Sequence, residues 1–119
     1  MKKTQITKEQ VSIYRTVNPL FYELYKEVSL LAKKKPDGTL NKTKVSLLNR
    51  ILQDLKSVLE NEDHAKYLDL LDEDMLPQYS DVLLIMSQYK AALEKFSSRY
   101  HYKDTTYGDC VWHYTPRDV

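Results

Sequence analysis

The residues of this chain whose types could do chemistry are three histidines, one cysteine and a run of carboxylates. Cys110 and His113 stand at Cys-x-x-His spacing, with His101 upstream. Thiolate and imidazole at such spacing can hold zinc, but a structural zinc site usually joins two close ligand pairs. Only one close pair exists here. A nucleophilic Cys110 would need a basic, partly exposed setting, and Asp104 and Asp109 oppose one. A di-iron bundle needs Glu-x-x-His on inward faces, whereas Glu60 and His64 are one residue further apart and have no second pair. Asp69, Asp72 and Glu73 fall on one face if their stretch is helical, where paired carboxylates can move protons or hold a hard cation. Their neighbours are acidic and imply no apolar pocket, so a solvated surface is the expectation. Glycine-rich phosphate loops, nucleophile elbows and His-Glu-x-x-His are absent. The expectation is no catalytic residue, no metal and no cofactor, with an enzyme or metal site in the C-terminal tail as the remotest reading.

Binding chemistry is better represented. The last fifth of the chain gathers His101, Tyr102, Tyr107, Trp112, His113 and Tyr114. Tyr and Trp are the types enriched at binding hot spots. Large aromatics are also commonly half-buried or more, so the same residues could instead complete the core. A second feature is basic: Lys33, Lys34, Lys35, Lys42 and Lys44 surround a single Asp37. Residues 1–56 hold 12 basic and 5 acidic side chains, a balance of +7, and residues 57–119 hold 6 and 12, a balance of −6. Either the two halves pack together and balance, or the molecule is dipolar and its basic end meets an acidic surface. Lysines along one end could follow phosphates without reading sequence. Yet the net charge is only +1, and the N-terminal half offers just Arg15 and Arg50 for bidentate base contacts.

These residues must be positioned by helices. The chain has 119 residues with only 2 Gly and 4 Pro, enough for one core and poor in the turns that barrels and sandwiches need. Thr7-Lys8-Glu9-Gln10 has the form of a capping box. Asn18-Pro19 reads as a second helix start or a kink. Leu20, Leu24, Val28 and Leu31, widened by Phe21 and Tyr25, form an apolar stripe that Pro36-Asp37-Gly38 stops. From a cap at Asn41, the stripe Val45, Leu48, Leu52, Leu55, Leu59 predicts the clearest amphipathic helix. A short acidic helix is expected near 63–71, burying Ala65, Leu68 and Leu71. A last long helix, about 77–100, carries Tyr79, Val82, Met86, Tyr89, Leu93, Phe96 and Tyr100. Thr105-Thr106-Tyr107 and Cys110-Val111-Trp112 flank Gly108-Asp109 as a hairpin would.

The expected fold is therefore all-α. It is a small up-and-down helical bundle of three long helices plus one or two short ones over 1–100. A short β-hairpin or extended aromatic arm over 101–119 packs on the bundle or on a partner. No apolar run approaches a membrane span, and the polar start reads as no signal segment, so the expected location is cytoplasmic. The expected function is non-catalytic protein–protein interaction as a regulator, inhibitor or adaptor, the partner being another protein or a second copy in a homodimer. The second reading is a nucleic-acid-associated accessory protein working through the Lys33–Lys44 end.

Overall fold

A computed structural model describes residues 5–103 and 108–115 of the chain. Its elements in order are α1 (Lys8–Lys34), α2 (Lys42–Val58), a one-turn 3₁₀ helix at Ala65–Tyr67, α3 (Tyr79–Tyr100), β1 (His101–Lys103) and β2 (Cys110–Trp112). This is a three-helix bundle finished by a two-stranded antiparallel hairpin. No described helix is long and apolar enough to cross a membrane.

The capping box forms as the sequence implies: Thr7 Oγ1 accepts from Gln10 N, and Gln10 Oε1 accepts from Thr7 N. Gln10 Nε2 also donates to Val58 O at the last residue of α2, so one side chain serves orphan backbone groups at two helix ends. Asn41 caps α2 by accepting from Lys44 N. Lys33 and Lys34 close α1 where its dipole is negative. Gly38 lies where a Cβ would come within 2.7 Å of the Tyr79 ring, so the α1–α2 turn can meet the start of α3 only through glycine.

Two expectations are corrected and one alternative is decided. Of the two readings at Asn18-Pro19, the single helix is the one found, with α1 running through Pro19. A proline inside a helix costs about 3 kcal/mol, and buried Val17 and Phe21 on either side offset it, at about 1.5–3 kcal/mol each. Leu20, placed on the stripe, is 53% exposed; the buried line is Val11, Val17, Phe21, Val28. The acidic helix near 63–71 is a single 3₁₀ turn followed by non-helical chain, so Asp69, Asp72 and Glu73 share no helix face. Asn49 is the reason. It is buried on α2, donates from Nδ2 to Leu71 O and accepts at Oδ1 from Leu71 N, both at 2.8 Å. Tyr89 Oη donates to Asp69 O at 2.9 Å. These bonds hold 69–71 straight across the helices, with Leu68 and Leu71 still buried.

Elsewhere the core follows the spacing along α2 and most of α3, while Leu24, Leu31, Ala65 and Tyr79 are only half-buried. Leu52 and Leu55 of α2, Leu59 just after it, and Val82, Met86, Tyr89, Leu93, Phe96 and Tyr100 of α3 are fully buried. The one buried carboxylate among the described residues, Glu62, accepts from Arg99 Nη1 at 2.7 Å and stands 3.5 Å from Tyr100 Oη.

Candidate functional site

The hairpin is displaced from its expected position. β2 is Cys110–Trp112 as read, but its partner is His101–Lys103, which leaves α3 without a loop. The stretch 104–107, with Thr105, Thr106 and the candidate Tyr107, lies outside the described residues. Gly108 sits at φ 78°, the left-handed region that glycine enters freely.

Strand alternation divides the aromatic candidates between two faces. His101 and Trp112 are paired across the strands and their rings lie 4.7 Å apart. Trp112 turns inward, its ring 5.1 Å from Tyr14 of α1 and 5.9 Å from Phe96 of α3. Tyr102 and His113 occupy the opposite face, stacked at 3.7 Å and 9°, with His113 Nε2 3.3 Å from Tyr102 O. Tyr114 follows, 39% exposed, and lines a shallow depression with Lys8, Ser12 and Arg15. Backbone bonds fix the arm to both ends of the bundle sequence: His113 N donates to Tyr100 O and Ile6 N donates to Tyr114 O.

The tail residues that could hold a metal or act as nucleophile are thus pulled apart. His101 faces the bundle, His113 faces away, and Cys110 is exposed at the hairpin's far end. Among the described residues no three His, Cys, Asp or Glu side chains gather closely enough to hold a metal ion. Burial raises the hydroxyl pKa of Tyr14, Tyr89 and Tyr100 above the ordinary tyrosine value, with Glu62 adding to the rise at Tyr100. These phenols are core groups rather than poised acids.

The basic cluster is exposed throughout: Lys33 and Lys34 end α1, Lys35 caps it, and Lys42 and Lys44 open α2. Leu40 N donates to Pro77 O, Tyr79 N to Gly38 O and Ser80 N to Pro36 O. These bonds bring the start of α3, with Asp81 in its first turn, to the lysine end. Among the described residues only Lys90–Glu94 and Arg99–Glu62 approach within ion-pair distance, so the lysines themselves remain unpaired.

A surface that sequence reading missed runs along the α1–α2 seam. A cavity of about 150 Å³ opens there, floored by Leu31, Leu40 and Leu48, with Leu24 and Leu47 along it and Glu27 and Lys44 at its edges. Leu47 is 47% exposed, and Leu20, one turn before Leu24, is 53% exposed. Half-buried Ile51 stands one turn beyond Leu47. The signal was present in the α1 stripe, which is wider than one buried face requires. The chain matches no family model, no curated protein and no solved structure.

Proposed function

We propose that this protein acts by binding another protein, as a regulator, inhibitor or adaptor in the cytoplasm, with no catalysis of its own. The observation that carries the reading is the seam: a row of leucines stands open to water beside a core that is already closed. Burying one such side chain contributes about 1.5–3 kcal/mol, and a contiguous exposed apolar strip with a polar rim is the usual mark of an interaction surface. The outward face of the arm, with Tyr102, His113 and Tyr114, supplies a second contact area. Trp112 and His101 support that face from beneath. The nucleic-acid reading is weaker, because α3 brings Asp81 to the lysine end and the net charge is only +1.

Affinity capture from the source lysate, with and without nuclease, tests this reading. A specific protein retained after nuclease treatment and lost with Leu47→Glu supports it. Capture that disappears with nuclease overturns it in favour of nucleic acid. Absence of any specific protein under cross-linking, a second copy of the chain included, also overturns it.

A further inference from the structure

The seam has rims of opposite charge. On the α1 side Glu27 lines the cavity, and Glu23, one turn earlier, continues the same edge. On the α2 side Lys44 lines it, and Arg50 flanks Leu47 in the adjoining depression. Glu27 and Lys44 border one cavity, so they stand at the same level along the bundle. Neither has an ion-pair partner among the described residues, and both are exposed.

This pattern is self-complementary under one rotation only. Two copies laid seam to seam and related by a two-fold axis parallel to the helices put α1 of one over α2 of the other. The level of each residue is kept, so Glu27 of each copy faces Lys44 of its mate, and the contact occurs twice. A two-fold axis across the helices would instead lay α1 on α1 and set glutamates against glutamates. The first arrangement also makes neighbouring helices antiparallel, giving a four-helix layer with Leu20, Leu24, Leu31, Leu47 and Ile51 enclosed between the copies. With a net charge of +1, long-range repulsion between copies is small. α2 has 17 residues, about 25 Å of helix at 1.5 Å per residue, and the seam is two helices wide. That face is of the order of the roughly 800 Å² per partner that specific interfaces bury.

We infer that the α1–α2 seam is an isologous homodimer interface whose axis is selected by Glu27 facing Lys44 of the second copy. The inference rests on the protein-binding reading above and names the partner for that surface. Sedimentation equilibrium of the full chain from about 1 to 100 µM is the test, with helical content checked by circular dichroism. Wild type should associate with a dissociation constant in the micromolar range. Glu27→Lys and Lys44→Glu should each weaken it at least about tenfold, since each sets like charges together at both rims. The double variant Glu27→Lys/Lys44→Glu should recover to within about threefold of wild type, and Leu47→Glu should be monomeric. Wild type that stays monomeric at the highest concentration overturns the inference, as does a dimer that the charge changes leave intact or that the double variant does not restore. A monomeric wild type whose lysate partner is lost with Leu47→Glu assigns the seam to that partner instead. That result sinks the homodimer and leaves the protein-binding reading standing.

Discussion

Replacing Asn49 by leucine should cost about 2–5 kcal/mol of folding stability. The side chain is buried, and leucine has the same branching and heavy-atom count with slightly larger ends, so no cavity is left. What is lost is a matched pair of hydrogen bonds, Nδ2 to Leu71 O and Leu71 N to Oδ1, each 2.8 Å long. Both Leu71 backbone groups would be left without a partner in a place where water does not reach. Stranding one buried donor or acceptor costs about 1–3 kcal/mol, which gives about 2–6 for two, and partial relaxation of the 69–71 segment trims the upper end. With a urea m-value of about 2 kcal/mol/M, a loss of about 3 kcal/mol moves the midpoint down by about 1.5 M. Urea denaturation followed by helix ellipticity measures this. Amide exchange at Leu71 should accelerate more than exchange at Leu52. A midpoint within about 0.3 M of wild type, with Leu71 still protected, would refute the assignment of Asn49 as the clamp on this segment.

Other expectations follow from the same packing. Leu52→Ala, in a fully buried position, should cost about 2–5 kcal/mol, whereas the exposed Lys42→Ala should cost under about 0.5 kcal/mol; matching denaturation midpoints would contradict the α2 register. Buried Tyr89, Tyr100 and Tyr14 hold their protons more tightly folded than unfolded, chiefly through burial. Above pH about 10, the ordinary tyrosine value, the unfolded chain therefore loses protons first and stability falls as pH rises, at most about 1.4 kcal/mol per pH unit per tyrosine. Tyr89→Phe should flatten that fall in denaturation midpoints taken from pH about 8 to 11. Trp112, against Tyr14 and Phe96, should shift its emission to the red in the same urea transition that removes helix ellipticity. An earlier, separate Trp transition would mean that the arm is not part of the cooperative unit.

Helical periodicity is local information, and where it governs the structure the sequence was readable. The α2 stripe from Val45 to Leu59 and the α3 stripe from Val82 to Tyr100 are buried at the positions their spacing predicts. What could not be read was set by partners far away in the chain. The 63–71 stretch reads as a short helix until Asn49 and Tyr89 claim its backbone. Asn49 itself falls on the apolar stripe, four residues after Val45 and three before Leu52, a polar intrusion that signals a buried partner without naming it. The Gly108 turn marked β2 correctly, but the strand opposite it is the direct outflow of α3. The division of the aromatic arm into an inner and an outer face depends on that register. The leucine seam required knowing which edge of the α1 stripe α2 leaves uncovered.

The bond from Ile6 N to Tyr114 O also bears on how the molecule is made. Its two groups are separated by 108 positions, so the segment before α1 must wait for almost the whole described chain before it meets its partner. At a synthesis rate of about 5–20 residues per second, that wait is roughly 5–20 s. During it, α1 and α2 can already pair, because their contacts lie close together in the chain. Trp112 then arrives after all three helices, onto Tyr14 and Phe96, and shuts the end of the bundle. Until it does, a nascent copy exposes those two rings. The finishing step of folding is thus delegated to the arm, and protection of the nascent bundle falls to whatever shields aromatic surface in the meantime.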